Sequence, residues 1–323
     1  MNDNYYLEGK YQFFLDNELI HEEKNALTFA GRGIAVKSLL GIIPGFAGQI
    51  GVGIGDEANN PDPSTNLITN NNLQFEISRV SVDASSISVS DDNDVLIYSG
   101  TLDDPDSYSI YEVGLFPQQV QDLFIGIRGS TIFNFSNVNV FTQIGTASGS
   151  YMTANSAARI GTDMLYIPEL DGTNNYLSYV IANETFDFID LYTERDTFRL
   201  AGFDPHETSS SVTFRYSNDE SNYKDVTFTT PASSGYFIVE TPKSSAVSQG
   251  SPTWTGINEI KIWQSASAGL FLDGLRIDTG SYFIDTTTGM ISRAVLNSPI
   301  RKPASIPLTI RYSLNIGFNI GTV

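Results

Sequence analysis

Residues Leu73–Val82 read LQFEISRVSV, and this alternation of apolar and polar side chains decides the fold class. Successive side chains of a β-strand point to opposite faces, so Leu73, Phe75 and Ile77 would share one face. The same period of two recurs in Ser211–Tyr216 (SVTFRY), Tyr236–Glu240 (YFIVE) and Leu308–Ile316 (LTIRYSLNI). We therefore predict that the chain consists mainly of half-buried β-strands.

Clusters of turn-forming residues separate these strands, as in NNPDPSTN (59–66), LDDPDS (102–107) and SNDESN (217–222). The 16 Tyr and 20 Phe residues suit a pleated, half-buried surface. Helical periodicity is confined to a short helix over Gly33–Leu40 and a single turn around Pro117–Asp122. The predicted fold class is all-β, with sandwich-like architecture and one short helix.

Charge and composition exclude several classes of function. The 323 residues include 37 acidic and 18 basic side chains, a net charge of −19. Because nucleic-acid binders grip phosphates with clustered Lys and Arg, we predict no nucleic-acid partner. The chain has no cysteine and only two histidines, which removes thiolate chemistry and leaves little material for a His-based triad. We therefore predict that the protein is not an enzyme.

Neither a secretion signal nor a membrane span is predicted. The opening MNDNYYLEGK lacks a basic region followed by an apolar one, so we expect synthesis and folding in the cytoplasm. Ser38–Gly55 runs 18 residues without a charge, but Pro44 and six glycines would make a poor spanning helix. A short helix, a loop and then a strand is the better interpretation, and membrane insertion is not expected.

The composition divides the chain into an outer and a middle block. The outer block covers residues 1–127 and 279–323, and the middle block covers 128–278. The first part of the outer block has too few strands to complete a sheet after Tyr111–Phe116 (YEVGLF), whereas the tail offers more. We interpret the middle block as a domain inserted into a discontinuous outer domain.

The outer block carries a series of segments in a familiar order. They are YQFFLDNELIHEEKNALTF (11–29), GRGIAVKSLLG (31–41), GVGIGDEAN (51–59), LQFEISRVSV (73–82), YEVGLF (111–116) and MISRAVLNSPIRKPASIPLTIRYSLNIGF (290–318). This series resembles bacteriophage tail-fibre and baseplate structural proteins. In that pattern the YEVGLF strand leads within a few residues to the Ser-Arg strand, whereas here about 170 residues intervene, which supports an insertion.

The middle block resembles a galactose-binding-like jelly roll of the kind found in carbohydrate-binding modules. The segments that carry the resemblance are NFSNVNVF (134–141), FDFIDLYTERDTFRLAGF (186–203), SSVTFRYSNDESNYKDVTF (210–228), TWTGINEIKIW (253–263) and LFLDGLRI (270–277). The resemblance implies sugar binding by aromatic side chains that stack on sugar rings. The candidates are Trp254, Trp263, Tyr192 and Tyr223.

Trp263 and Lys261 alternate with Ile260 and Ile262, so Trp263 is predicted to face outward. Core filling is the commoner fate of a strand Trp, and Trp254 is equally consistent with a loop anchor and with the core. The resemblance also implies a structural calcium ion at Asp273, because such jelly rolls often place an Asp ligand in the last strand. We predict no other cofactor.

Other motifs are interpreted as structural. GVGIG (51–55) lacks the spacing of nucleotide-binding loops and is predicted to be a site of close backbone packing. The acidic clusters at 91–94 and 103–106 are predicted to be solvated turns. Asp187 and Asp190 would fall on opposite faces of a strand, which does not favour a glycosidase pair.

The segment SPIRKPASIP (298–307) has prolines four residues apart and is predicted to be an extended arm outside any central strand. Its functional interpretation is an assembly interface formed by Pro299, Arg301, Lys302 and Pro303, with the two cations meeting an acidic neighbour. The alternative is a simple edge connection.

The resemblance to phage proteins implies a virion structural protein in the tail, baseplate or fibre-attachment apparatus, partnered by other virion proteins and copies of itself. One alternative is an adsorption protein whose jelly roll binds host glycan. Another is a capsid decoration or head-fibre protein.

Overall fold

The computed structural model describes residues 4–42, 45–55, 73–89, 95–117, 130–134, 142–144, 152–170, 172, 175–180, 197–254, 256–264, 269–278 and 290–319. The chain divides into two compact units. Unit 1 comprises Met1–Phe124 and Tyr282–Val323, and unit 2 comprises Ile125–Ser281. Each unit is described by itself.

The first part of unit 1 contains eight strands and helix α1, Phe29–Leu39, among its described residues. The strands are β1 Asn4–Leu15, β2 Glu18–Lys24, β3 Ala26–Leu27, β4 Gln49–Gly53, β5 Glu76–Ser81, β6 Ser88–Val89, β7 Val95–Leu102 and β8 Tyr108–Phe116. A 3-10 turn, Ala84–Ser86, lies between β5 and β6.

The strands of unit 2 follow in the chain: β9 Ser130–Asn134, β10 Thr142–Ile144, β11 Met152–Ala154, β12 Asp163–Ile167, β13 Tyr176–Val180, β14 Thr197–Asp204, β15 Ser211–Ser217, β16 Tyr223–Thr229, β17 Gly235–Pro242, β18 Val247–Gln249, β19 Glu259–Gln264 and β20 Leu270–Asp278. A 3-10 turn, Lys243–Ser245, joins β17 to β18. The chain then returns to unit 1 with β21 Ser292–Lys302 and β22 Leu308–Asn319.

Unit 1 is a sandwich of two antiparallel sheets. Their strand orders are β2-β1-β22-β7-β6 and β3-β21-β8-β4-β5. One core joins them, with Tyr11 and Ile310 from the first sheet and Val113 and Leu115 from the second. The Tyr11 hydroxyl lies 2.6 Å from the Ser292 hydroxyl, so a hydrogen bond also crosses between the sheets. The all-β sandwich predicted from the alternation is confirmed.

A buried carboxylate lies at the centre of the second sheet. Glu112 of β8 is fully buried, and its Oε2 accepts hydrogen bonds from Nε and Nη2 of Arg293 at 3.0 and 2.5 Å. Its oxygens also accept backbone N–H bonds from Gly55, Gln74 and Phe75 at 3.2, 2.9 and 2.9 Å. A buried charge is tolerated only when it is paired and hydrogen-bonded, and these partners supply both conditions.

Glycines allow the backbone to approach Glu112. A Cβ on Gly53 would lie 2.5 Å from Glu112 Oε1, and one on Gly55 would lie 2.7 Å from the same atom. Because real Cβ atoms do not come this close, only glycine fits at either position. The GVGIG segment is thus a site of close backbone packing, as the sequence predicts.

Helix α1 starts at a threonine cap and ends before a short loop. Thr28 Oγ1 accepts the backbone N–H of Gly31 at 2.9 Å and donates to the carbonyl oxygens of Met290 and Ile291. The helix spans Phe29–Leu39, so it begins one turn earlier than predicted because Thr28 supplies the cap. No helix in the described part of the chain has the length and apolarity that a membrane span needs.

Half of the predicted proline arm, residues 298–302, belongs to strand β21. Strand β21 pairs with β8 through Ser292–Val295 and again through Ile300–Lys302. The register shifts between these two stretches, and Pro299 lies in the interruption. The prediction that the whole segment stays outside the sheet is therefore wrong, because a bulge accommodates the proline without requiring its missing N–H.

Unit 2 is also a two-sheet sandwich. One sheet has the order β10-β13-β19-β15-β16-β18, and the other has β11-β12-β20-β14-β17 with β9 paired to β20. Between them lies a core with Phe214 and Ile262 from the first sheet and Phe198 and Leu272 from the second. The turn predicted around Pro117–Asp122 lies mostly outside the described residues.

Removing the Glu112 carboxylate is expected to destabilise unit 1 selectively. Glu112→Ala leaves the Arg293 cation buried without its counter-charge, which costs about 3–5 kcal/mol. Hydrogen exchange resolved by mass spectrometry would show the loss as faster exchange in β4, β8 and β21. Both tryptophans lie in unit 2, so urea unfolding followed by tryptophan fluorescence should stay unchanged and serves as the internal control.

Two further variants serve as controls for Glu112→Ala. Glu8→Ala removes an exposed pair with Lys24 and should leave exchange in unit 1 unchanged. The double variant Glu112→Leu, Arg293→Met replaces both buried charges by apolar groups and should recover part of the lost protection. If Glu112→Ala behaves like Glu8→Ala, the ion pair is not what stabilises this sheet.

Candidate functional site

The side of the β10–β18 sheet that faces away from the core of unit 2 combines aromatic and charged side chains. Along β19 burial alternates, so that Ile260 and Ile262 are buried whereas Lys261 and Trp263 are half-buried on the opposite side. Trp263 therefore lies on the outward side of β19, as the alternation predicts, while its partly buried ring also packs against the core cluster of unit 2. We call this side the outer face and define it by Tyr176, Arg215, Tyr223, Lys261 and Trp263.

Arg215 lies at the centre of the outer face because β15 pairs with β16 on one side and β19 on the other. Its Nε and Nη2 each donate to an Asp225 carboxylate oxygen at 2.8 Å, and these hydrogen bonds raise the pKa of Arg215. The guanidinium carbon lies 3.6 Å from the Tyr223 ring centroid and 5.0 Å from that of Trp263. One cation thus contacts two of the aromatic candidates at once.

A second cation extends this arrangement toward the other edge of the sheet. Lys261 Nζ lies 4.6 Å from the Tyr176 ring centroid and 3.5 Å from the Glu259 carboxylate. The Ser178 hydroxyl donates to Glu259 Oε1 at 2.6 Å. Each cation of the outer face is therefore matched by a carboxylate, and the aromatic rings alternate with groups that can donate or accept hydrogen bonds. Such a surface can stack sugar rings and bond their hydroxyls.

The orientation of Trp263 is fixed by a glycine. Gly172 has a φ of +72°, and a Cβ there would lie 2.5 Å from Cε2 of the Trp263 indole. Both the left-handed backbone and the close approach require glycine at this position. With Gly172 and Arg215 both in contact with it, the indole is held in one orientation, which lowers the entropy cost of binding a ligand.

Trp254 belongs to the core side of the sandwich. Its ring centroid lies 5.7 Å from that of Phe198 and 5.6 Å from that of Tyr216, and both of these residues are fully buried. Lys224 and Lys243 each place Nζ 5.3 Å from the same ring. Trp254 therefore stabilises the fold rather than joining Trp263, because Tyr216 and Arg215 point to opposite faces of β15. Of the four aromatic candidates the structure brings Trp263 and Tyr223 together, and Tyr192 lies outside the described residues.

Arg215 and Asp225 were missed by the sequence analysis. The segment SVTFRY could have indicated it, because Arg215 alternates with the apolar Val212, Phe214 and Tyr216 and therefore lies on the opposite face of the strand. A cation on the polar side of a strand, close in sequence to a hairpin that returns an aspartate, predicts a cross-strand pair.

Asp273 is fully buried in β20 and surrounded by hydrogen-bond donors. Its oxygens accept the backbone N–H of Arg159 at 2.9 Å, the N–H of Ile160 at 3.2 Å and the Tyr236 hydroxyl at 2.6 Å. Burial raises the pKa of Asp273 to about 6 although these donors oppose the shift. Among the described residues no three acidic or histidine side chains are grouped as metal ligands. A calcium ion at Asp273 stays a prediction, and any such ion would compete with these donors.

The structure separates the four residues predicted as an assembly interface. Lys302 is fully buried, and its Nζ donates to the carbonyl oxygens of Asp104 and Pro303 at 2.7 and 3.2 Å. The prediction that Lys302 meets a neighbouring protein is therefore wrong, because the acidic turn at 103–106 encloses it. Pro299 and Arg301 are exposed and Pro303 is half-buried.

The chain was also compared with known proteins. No protein-family model matches it, and no curated protein matches it. The CBM22-1 and GH10 modules of a Clostridium thermocellum endo-1,4-beta-D-xylanase complexed with xylohexaose align at 11% identity and a TM-score of 0.30, over 49% of this chain and 29% of that chain. The enzymatically active domain of bacteriophage CBA120 tailspike protein 4 aligns at 12% identity and a TM-score of 0.22, over 50% and 20%.

The structure of infectious bursal disease virus, Gt strain, aligns at 13% identity and a TM-score of 0.17, over 98% of this chain and 68% of that one. All of these TM-scores are below 0.5. The similarities therefore carry no argument about how this chain folds or what it does.

The raised pKa of Asp273 predicts a pH dependence of the stability of unit 2. Between the ordinary value of 3.8 and about 6 the folded state binds more protons than the unfolded state, so stability falls as pH rises through this window. The loss attributable to Asp273 is at most ~3 kcal/mol by pH 7. Urea unfolding followed by tryptophan fluorescence at several pH values measures it.

The control for the Asp273 test is Asp273→Asn, which cannot titrate. The difference between wild type and variant should change with pH between about 4 and 7 and stay constant above this range. A difference that is independent of pH throughout would contradict the assignment.

Proposed function

We propose that this protein is a structural component of a tailed-bacteriophage virion, in the tail, baseplate or fibre-attachment apparatus. It acts by assembly with other virion proteins and with copies of itself, and unit 2 is the part offered to the host surface. We propose no catalytic role, since the sequence lacks the motifs that such chemistry requires.

The observation that carries the proposal is that the segments resembling phage structural proteins converge on one residue. Glu112 of YEVGLF binds Arg293 of the ISRAV strand, the end of GVGIG at Gly55, and the backbone at Phe75. These four segments are far apart in the sequence. The residues that define the resemblance are thus the ones that hold unit 1 together, which supports a shared fold rather than a chance similarity of short strings.

A second candidate function is adsorption to a host glycan, and the outer face of unit 2 favours it. Trp263 and Tyr223 lie on one sheet face with Arg215 between them, and paired charges surround them. Pure scaffolding does not require an ordered aromatic surface of this kind. This function is compatible with a place in the virion, since an adsorption protein is also a virion component.

Virion membership predicts that the protein is found in purified particles of the phage that encodes it. The resemblance to phage tail-fibre and baseplate proteins implies three-fold or six-fold assembly, so quantitative mass spectrometry of those particles should give a copy number per particle that is a multiple of three. Separated tails and heads, measured in the same way, would distinguish tail apparatus from capsid decoration. Detection in the lysate but not in the particles would contradict the proposal.

Glycan adsorption predicts saturable binding to host cells or to a glycan array that depends on the outer face. Trp263→Ala and Tyr223→Ala should each weaken binding by roughly 5- to 140-fold, the effect of losing about 1–3 kcal/mol of ring contact. Trp254→Phe is the matched control, because it changes the other tryptophan on the core side and should bind normally. The assay is run with and without Ca²⁺ to test the prediction at Asp273.

Equal binding by Trp263→Ala and wild type would reject the outer face as the binding site. Binding that Trp254→Phe abolishes and Trp263→Ala retains would reject the outer face as well.

A further inference from the structure

Helix α1 carries apolar residues on both of its faces. Gly31 and Ile34 are buried against unit 1, whereas five large apolar side chains in and after the helix are exposed: Phe29 (60%), Val36 (56%), Leu39 (89%), Leu40 (68%) and Ile42 (63%). Among the described residues only 11 large hydrophobic side chains are exposed, so nearly half of them lie in this short stretch. A helix that is apolar all round is normally covered on both sides.

The same helix lies in a stretch of the chain that has basic but no acidic residues. Residues 26–55 contain Arg32 and Lys37 and no acidic residue, a charge of +2, whereas the whole chain carries −19. The remaining residues therefore carry −19 − 2 = −21. An apolar surface with positive charge is electrostatically attracted to acidic surfaces. We define the helix patch as Phe29, Arg32, Val36, Leu39 and Leu40.

A surface of complementary character projects from the β1–β2 hairpin. Asp16 and Asn17 form the turn with φ values of 51° and 66°, which is the left-handed backbone of a tight hairpin. Asp16, Glu18, Leu19 and Ile20 are all exposed. This hairpin patch thus combines two apolar side chains with two carboxylates.

The two patches belong to opposite ends of β2. The strand runs seven residues from Glu18 to Lys24 before the chain enters β3 and α1. At about 3.3 Å per residue this is roughly 20 Å. The patches are therefore separate surfaces of unit 1, and one copy cannot cover its own helix patch with its own hairpin patch without unfolding β2.

We propose that the helix patch of one copy docks on the hairpin patch of a second copy of this chain. The contact joins apolar to apolar surface, and it sets Arg32 against carboxylates of the hairpin. Because the two surfaces differ, a single contact leaves one free patch on each copy. These patches are used either by a second, reciprocal contact in a two-fold dimer or by repetition into a ring or filament. A two-fold contact between helix patches is disfavoured, since it would bring cationic stretches together.

This inference names the surfaces through which the assembly proposed above occurs between copies of the chain. Its biological role rests on that proposed function, whereas the contact itself does not. A protein that is monomeric in solution but present in particles would overturn the docking contact and leave virion membership intact. A protein that forms the contact but is missing from particles would overturn virion membership and leave the docking contact intact.

Sedimentation velocity of the full chain over about 1–100 μM tests the contact. Wild type should form a dimer or a larger oligomer, and association should weaken as salt screens the charges. Leu39→Asp, in the helix patch, and Leu19→Asp, in the hairpin patch, should each sediment as a monomer. Val247→Asp is the matched control, because Val247 is 70% exposed in unit 2 and its replacement should not change association. Circular dichroism verifies that each variant is folded.

Mixing the two defective variants gives the decisive result. Each retains one intact patch, so an equimolar mixture of Leu39→Asp and Leu19→Asp should form a dimer that cannot extend. A wild type that stays monomeric, or a Leu19→Asp variant that associates like wild type, overturns the proposal. Flotation with vesicles of 30% phosphatidylglycerol in phosphatidylcholine tests a lipid surface, and binding by a monomeric wild type that Leu39→Asp abolishes also overturns it.

Discussion

The buried Glu112–Arg293 ion pair is the interaction on which unit 1 depends. Its two residues stand 181 positions apart, and all of unit 2 enters the chain between them. Desolvating the two charges is costly, and Glu112 offsets this by accepting three backbone N–H groups as well as the guanidinium. The pair therefore joins the sequence segments that precede and follow the insertion, and Glu112 also binds the backbone at Gly55, Gln74 and Phe75.

Local periodicity made the strands and the helix predictable. Alternation located β5, β15, β17 and β22, and it placed Trp263 on the outward side of β19 correctly. What the sequence does not reveal is which distant groups meet. Lys302 stands among prolines and reads as a surface cation, but the turn at 103–106, some two hundred residues earlier, encloses it with carbonyl oxygens. The sequence also leaves open whether Trp254 is a loop anchor or part of the core, since its partners Phe198 and Tyr216 lie on strands distant in the sequence.

In the candidate site of unit 2, too, the residue types could be predicted from the sequence but their contacts could not. The aromatic residues could be named from the resemblance, but Arg215 gains its role only from the register of β15 between β16 and β19. That register places one guanidinium against two rings and one carboxylate. The contacts of the outer face are thus formed without a ligand. The buried Asp273 carboxylate has a different role, since it joins residues 159–160 to β20.

The position of β22 has a consequence for how the protein is made. This strand lies between β1 and β7 in its sheet, yet it is synthesised long after both of them. Until residues 308–319 leave the ribosome, β1 and β7 each keep an unpaired edge, whereas unit 2 already has all its strands. Unit 2 is therefore free to fold first, and a chain that stalls before β22 presents two open edges of the kind that recruit other strands. The insertion thus lengthens the interval in which the nascent chain is exposed to aggregation.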